Sequence, residues 1–518
     1  MDTDVTIVGM GPTGALLGIL LAQHDIKTAI VERDATAYSR PRAVQLDHEV
    51  LRLLNLAGVA NEVQAASQPV KGYEFVSAEG ELLMGFYPES ELAPTGYAWN
   101  NLFHQPSLEA ALRLRLDNCA TVTKLEGAQL QQLKQNADGV VAHIQCADKQ
   151  KAIHSRYLVG CDGGRSTVRQ LLGIPVDDLG FDEPWLVVDA LLPEGTKNLA
   201  DKGLQLCDPA RPTTSMPAGP GRHRWEFMLL PGENETQISS KTSVRELLSA
   251  WIDPEMIVIE RIAVYHFHAT FAERWAHGGV FLAGDAAHQM PPFMGQGLCS
   301  GARDAANIAW KLAAVLHAQA NPNILGTLQQ EREPQIRQIT AMAMDLGKLV
   351  CTIDPQQALQ RDKEILAQPI EARTALVNGV VNVGAGVLKS HGGGAILPES
   401  YVDTEGGAAR LDMLAGYNAI VVIASAGQLD DGARADLAAL LQALPGTRLC
   451  TLAQDEWIDD TAEWEPRLQL NDEQGYMKLL LGDASCILAR PDRVVFACGD
   501  IAFINEQWRR YLADDIAT

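Results

Sequence analysis

Val5-Thr6-Ile7-Val8-Gly9-Met10-Gly11-Pro12-Thr13-Gly14 is the stretch on which the fold turns. Its first four residues are apolar or β-branched, the composition of a parallel strand buried on both faces. Gly9, Gly11 and Gly14 then space a tight turn, and Ala15 to His24 reads as a helix. A second strand follows at Lys27 to Glu32 and ends on an acid. Together these make a βαβ unit, with G-x-G-x-x-G in its required place between strand and helix. The first glycine allows the bend, the second lets backbone approach a pyrophosphate, and the third lets helix and strand pack closely. The helix start, with Pro12 and Thr13, offers unpaired N–H groups to phosphate. Glu32, 18 residues past Gly14, can accept hydrogen bonds from an adenosine ribose, and Arg33 beside it is a further candidate for cofactor binding. The triplet alone could be a plain turn; in this setting it predicts dinucleotide binding, without separating FAD from NAD.

The whole chain has 518 residues, a length suited to two or three domains. Its 42 basic and 65 acidic side chains leave a net charge of −23, which repels phosphate backbones and argues against nucleic acid. Apolar residues at 47% and charged ones at 21% exclude a largely disordered chain. Nine scattered cysteines, with no C-x-x-C and no metal-ligand spacing, fit a reduced cytoplasmic protein without a metal. The uncharged run from Val5 to Ala22 is broken by glycines and preceded by acids, so it reads as the first strand and helix, not a targeting signal. No other stretch approaches 18 apolar residues, and no membrane partner is expected.

Farther along, Tyr73 to Val76 and Glu81 to Phe86 predict antiparallel strands, and a helix follows Pro106. From Pro184 to Phe267 the chain is strand-rich, at Trp185–Leu191, Leu204–Cys207, Arg224–Leu230 and Ile257–Phe267. Trp225, Phe227 and Leu229 alternate, so one face of this sheet lines a core or pocket. A buried strand returns at Gly279–Gly284, with helices near Ser300–Gln319 and Leu325–Val350. Lys389-Ser390-His391-Gly392-Gly393-Gly394 predicts a hinge. Beyond it a small unit reads as strand Ala419–Ala424, helix Ala433–Ala443, and strands near Met477–Leu481, Ser485–Leu488 and Val494–Ala497. From Tyr401 onward there are 20 acidic and 9 basic residues, nearly half the acidic excess.

Two further elements carry chemistry. Gly284-Asp285-Ala286-Ala287-His288 ends an apolar strand and is followed by Pro291-Pro292-Phe293-Met294-Gly295-Gln296-Gly297. A carboxylate there can hold a polyol while backbone N–H groups face a phosphate; the plainer alternative is a helix-capping Asp285. Gly160-Cys161-Asp162-Gly163-Gly164-Arg165-Ser166 ends another short strand, its plainer alternative being a β-turn.

All three elements together resemble the group A flavoprotein monooxygenases, the single-component FAD-dependent aromatic hydroxylases, over roughly residues 3–350. The resemblance implies a mixed α/β fold. A Rossmann-like FAD-binding domain at 1–175 and 262–388 would interleave with an antiparallel substrate-binding sheet domain at 176–261, which takes strands from about 71–105. It assigns Gly9, Gly11, Gly14 and Glu32 to the ADP half of FAD, and Asp285, with Gly284, Gly295, Gln296 and Gly297, to the ribityl and phosphate region. Asp162 and Gly163 would serve both FAD and the nicotinamide cofactor. Arg42, in Arg40-Pro41-Arg42-Ala43, matches a flavin phosphate contact, and Gln105, in His104-Gln105-Pro106, a group near the ribityl chain. A surface arginine and a turn residue are the alternatives for these two. The run from Gly284 to Lys311, with Arg303-Asp304-Ala305-Ala306-Asn307 and Trp310-Lys311, is similar to 3-(3-hydroxyphenyl)propionate hydroxylases, a subgroup with resorcinol- and phenol-type members. Residues 395–518 resemble the thioredoxin-like domain appended to many of these enzymes, here without C-x-x-C and so suited to packing or dimerisation.

The implied chemistry is reduction of FAD by NADPH or NADH, capture of O₂, and transfer of one oxygen from a flavin C4a-hydroperoxide to a small phenol, ortho to its hydroxyl. A base near the phenol would make the ring electron-rich. Asp47 ranks first for this because it follows the Arg42 motif, with His48, Tyr265 and His266 after it. His266 and His268 share a strand face but lack a third metal ligand. Arg211, His223 and Arg224 are candidates to meet a substrate carboxylate. A homodimer is expected, with a monomer as the alternative. Competing functions are hydroxylation of another phenol (resorcinol-like or polyketide-type), a non-oxygenating flavoprotein reductase, and an NAD dehydrogenase, for which Gly284-Asp285 would have no purpose.

Overall fold

The three turns singled out above leave neighbouring strands of one sheet. In the computed structural model, which describes residues 2–37, 42–147, 149–196, 199, 201–377, 392–404, 407–424, 431–443, 447–452 and 467–513, six strands make this layer. Their order is 276–277, 280–282, 157–160, 5–8, 28–32, 122–126, parallel except at the first edge. Strands Val5–Val8, Tyr157–Gly160 and Val280–Leu282 are buried throughout, so their carboxyl ends open on one side of the sheet, where ligands of such folds bind. Helix Pro12–Gln23 packs between the sheet and helix Gly297–Leu316. It is buried on all sides from Gly14 to Leu21, which explains its lack of a polar face. A Cβ on Gly14 would lie 2.1 Å from the Gly9 carbonyl oxygen, and Gly9 itself has φ +100°, so both positions need glycine.

The second layer is a nine-stranded mixed sheet ordered 288–289, 258–272, 176–191, 222–228, 213–217, 203–206, 73–76, 82–88, 374–377. Strand Val258–Ala272 pairs with Val176–Leu191 along its whole length and so runs across residue 261, the expected edge of the sheet region. Leu186, Val188, Trp225 and Phe227 form a core with Val244 and Leu248 of helix Lys241–Leu248. Because strand residues alternate, Val187, Asp189, Arg224 and Glu226 take the opposite face.

The C-terminal residues build a seven-stranded sheet in which Val421–Ala424 lies parallel to Arg448–Leu452 and antiparallel to Cys486–Ala489. One expected strand is corrected: Tyr476–Leu481 is a helix. Asp472 accepts from the Met477 and Lys478 amides, and Met477 and Leu481 point inward while Leu479 is exposed, a helical spacing hidden in a run of strand-compatible residues. Lys389 to His391 of the expected hinge, and the boundary at 388, lie outside the described residues. The C-terminal unit is docked, not pendant. Asp412 pairs with Arg52 at 2.6 Å and Arg493 at 2.7 Å, and Trp508 stacks on Trp310. Glu331, on helix Thr327–Val350, meets Arg490 at 2.9 Å. Among the described residues no helix is long and apolar enough to cross a membrane, all nine cysteines are free, and no cluster could hold a metal.

Candidate active site

The carboxyl ends of the three parallel strands face a cavity of about 930 Å³ that continues to the polar face of the nine-stranded sheet. Gly9, Gly11, Pro12 and Thr13 line its first part, with Glu32 and Arg33 beyond them. Glu32 accepts from the Met10 amide at 2.7 Å and the Asp34 amide at 2.9 Å, which fixes the second strand end against the glycine turn. Gly14 and Gly284 are buried beneath the surface they shape.

The other two turns join from the neighbouring strands. Asp162, Gly163 and Asp285 line the same cavity. Asp162 accepts from the Ser166 hydroxyl at 2.5 Å and the Val168 amide at 3.1 Å, anchoring its turn to the following helix. Asp285 is exposed and lines the cavity, and desolvation by the surrounding protein raises its carboxyl, with His288 and Arg42 opposing. His288 pairs with Asp304 at 2.6 Å, not with Asp285. Gly295 and Gly297 line the cavity, whereas the Gln296 side chain accepts from Arg303 at 3.2 Å behind its wall.

Arg42 and Gln105 come together from 63 positions apart: the Gln105 side-chain oxygen accepts from the Arg42 amide at 3.0 Å and the Ala43 amide at 2.6 Å. Arg40 and Pro41 of that motif lie outside the described residues. The Arg42 carbonyl in turn accepts from Arg224 at 2.6 Å, which ties this loop to the sheet. Arg224 also grips Asp189 through two nitrogens, at 2.7 and 3.1 Å, and Asp189 reaches Arg261, whose guanidinium lies under the Tyr265 ring at 4.5 Å.

Asp47 requires a correction. It caps helix His48–Leu56 through the Val50 amide, its other oxygen is clasped by Arg303, and it does not line the cavity. Burial raises its carboxyl, but Arg303 and His48 bring it below the usual carboxylate range, the reverse of a poised base. His48 is likewise buried, on Thr95. Tyr265 lines the cavity. His266 sits at its rim, between Glu235 at 3.0 Å and Asp182 at 3.2 Å, which raise its pKa. Arg211 is spent on Glu233 and His223 on Ser215, with burial lowering His223 to about 3.

Sequence reasoning did not single out Glu226, Arg261, Gln205 and Tyr73, which line the cavity, or Asp189, which pairs with Arg224 and Arg261 beside it. The signal was present for the first: in Arg224-Trp225-Glu226-Phe227 the charges alternate against the aromatics, so the face opposite the core carries them.

The cavity fits a dinucleotide. A Cβ on Gly11 or Gly163 would meet nothing within 4 Å, so backbone is open to a ligand at both turns, and the acids Glu32, Asp162 and Asp285 line the same cavity. The fold and cavity thus define a dinucleotide-binding protein. The profile of the family described as "FAD binding domain" matches residues 2–343. The chain is 34% identical over 428 residues to a probable NADH-specific resorcinol 4-hydroxylase of Rhodococcus jostii (strain RHA1), covering 81% of this chain and 78% of that protein. It is 35% identical over 373 residues to a 3-(3-hydroxy-phenyl)propionate/3-hydroxycinnamic acid hydroxylase of Burkholderia vietnamiensis (strain G4 / LMG 22486), covering 70% of this chain and 66% of that one. Among solved structures, aklavinone-11 hydroxylase with FAD and aklavinone shares the fold at TM-score 0.77 and 24% identity, covering 99% of both chains. The flavin-dependent monooxygenase PieE does so at 0.81 and 19%, again over 99% of both. The chain belongs to this FAD binding domain family, as a group A flavin-dependent aromatic hydroxylase that uses FAD, reduced nicotinamide and O₂.

Proposed function

We propose that the chain inserts one oxygen atom into a small phenol, ortho to its hydroxyl, with NADH or NADPH as donor. The observation that carries this reading is one continuous cavity joining three strand-end turns to the polar face of a sheet. Resorcinol-type and hydroxyphenylpropionate-type phenols are the substrate classes that the relatives' names offer. FAD, when bound, supplies the electron-transfer and oxygen chemistry. The chain's own part is to bind, orient and exclude water.

We assign the pyrophosphate to Gly9, Gly11 and the helix start at Pro12 and Thr13, and the adenosine end to Glu32 and Arg33. Asp285, Arg42 and Gln105, with Gly295 and Gly297, would hold the ribityl and phosphate region, and Asp162 and Gly163 would serve both nucleotides. Val187, Met216, Phe293 and Tyr265 form the wall against which the ring would lie. His266 holds the rim. We divide the chain into FAD binding at 1–175 and 262–388, substrate binding at 176–261 with strands from about 71–105, and a thioredoxin-like unit at 395–518, the substrate sheet continuing past 261 through strand Val258–Ala272. The parallel pair 421–424 and 448–452 around helix Asp431–Ala443, next to the hairpin of 486–489 and 495–499, supports that last reading. The free cysteines fit a cytoplasmic setting. A homodimer, or a monomer, is to be read by light scattering.

Asp285→Ala is expected to purify with flavin lost or held at least ~10-fold more weakly, as removal of a charge-assisted acceptor predicts. Equilibrium dialysis measures this, and full retention with normal turnover refutes the assignment. For the function itself, the yellow protein is mixed with NADH or NADPH, O₂ and a panel of phenols. A product heavier by one oxygen is expected, with substrate-stimulated donor oxidation; no such product from any phenol overturns the reading.

A further inference from the structure

We propose that Glu226 receives the hydroxyl of the substrate phenol, and that its carboxylate makes the cavity select uncharged phenols over phenols bearing a carboxylate. This rests on the hydroxylase reading and goes beyond it to the substrate class. Glu226 lies at the middle of strand Arg222–Met228, opposite Val187 on one neighbour and Thr214 on the other, and lines the cavity. Its side chain is 10% exposed, and the carboxyl takes part in no hydrogen bond within the described residues. The nearest cation, Arg224, stands off at 3.6 Å. A nine-tenths buried acceptor aimed into a cavity and left without a donor requires one from a ligand.

The surrounding charges close the account. Arg224 faces Glu226 from the same strand, Asp189 from strand Val176–Leu191, and Arg261 from strand Val258–Ala272. Two cations and two carboxylates make the wall neutral as it stands. Arg224 already serves Asp189 and the Arg42 carbonyl, and Arg261 is engaged by Asp189 and covered by Tyr265. A substrate carboxylate entering here would meet the Glu226 carboxylate, whereas a phenol O–H meets its acceptor. Burial raises the Glu226 carboxyl, which narrows its gap to a phenol. In the transfer, the phenol O–H bond breaks, an O–H bond forms on Glu226, and the electron pair stays on the phenolic oxygen. The proton returns to the product hydroxyl after oxygen has been added.

The test compares resorcinol with 3-(3-hydroxyphenyl)propionate in the wild-type holoenzyme, E226Q and E226D. Wild type should prefer resorcinol by roughly 30-fold or more in kcat/KM, the scale of a carboxylate pair a few ångströms apart at a partly screened site. E226Q should lose about 30- to 100-fold with resorcinol, the scale of general-base help, and lose the acid limb of the kcat/KM pH profile. E226D should recover part of both. Dissociation constants from flavin difference spectra read selectivity without turnover, and E226Q should bind the propionate more tightly than wild type does. Preference for the propionate in wild type, or an unchanged acid limb in E226Q, overturns the proposal. If both phenols bind in the expected order but neither gains oxygen, it is the hydroxylase reading that fails.

Discussion

Glu331→Ala is expected to melt about 10 °C below the wild-type chain and to expose the C-terminal unit to proteolysis. Glu331, Lys311 and Arg490 have fully buried side chains. One Glu331 oxygen meets Lys311 at 3.0 Å and the Tyr511 hydroxyl at 2.7 Å; the other meets Arg490 at 2.9 Å and Asn307 at 2.7 Å. Tyr511 and Arg490 belong to the C-terminal unit, so one carboxylate joins both halves. Removing it leaves two cations close together and out of water. Breaking a buried pair in this way costs about 3–5 kcal/mol, and at roughly 2–4 °C per kcal/mol the melting shift follows. Glu331→Gln keeps the Asn307 and Tyr511 contacts in part and should fall between. Burial alone would raise the Glu331 carboxyl, but Arg490 and Lys311, with hydrogen bonds from Asn307 and Tyr511, bring it to about 2 from 4.5. A lowered folded value means stabilisation that is complete above about pH 4.5 and lost as pH falls toward 2. Wild type should therefore lose melting temperature over that window more steeply than the glutamine variant. Equal acid profiles, or a melting point unmoved in the alanine variant, would sink the idea.

The contrast between this joint and the nucleotide turns explains what could be read in advance. Gly9, Gly14 and Glu32 were legible because local backbone demands fix them: a positive φ, a close approach and a strand end within about 25 residues. The turns at Asp162 and Asp285 carry the same local grammar, and parallel pairing brings them to the first. Arg42 and Gln105 were matched as separate motifs, and only the folded chain joins them through one amide oxygen. The sheet wall was half legible, since alternation at Trp225 and Phe227 marks two faces without saying which is wet. Asp47 misled because nearness in sequence to Arg42 does not specify direction; Arg303, 256 positions away, turns its carboxylate inward. The docked C-terminal unit was illegible for the same reason. Arg52 and Asp412 are 360 positions apart, and no local pattern announces such a partner.

Asp304→Ala is expected to lose both stability and flavin, and the two losses are separable. Asp304 is fully buried on helix Gly297–Leu316. One oxygen accepts from the Gly284 amide at 3.0 Å and lies 2.6 Å from His288 Nε2; the other accepts from Arg332 at 2.9 Å. The turn we assign to the ribityl chain thus hangs from this carboxylate by the residue next to Asp285. Without it, Arg332 is left buried without its carboxylate, at about 3–5 kcal/mol, and the Gly284 amide loses its acceptor. Asp304→Asn keeps an acceptor oxygen for Gly284 but not the charge for Arg332, so it should lose stability and retain more flavin. Apo-protein melting reads the first effect and dialysis against FAD reads the second; we expect at least a ~10-fold weaker Kd in the alanine variant. Burial opposes ionisation, yet His288, Arg332 and the Gly284 amide hold Asp304 at about 2, below its ordinary 3.8. Its contribution is therefore complete above about pH 4 and lost as pH falls through 2, and apo-protein melting should record that loss in wild type but not in Asp304→Asn. If the alanine variant binds FAD as wild type does while melting lower, Asp304 supports the helix and not the turn.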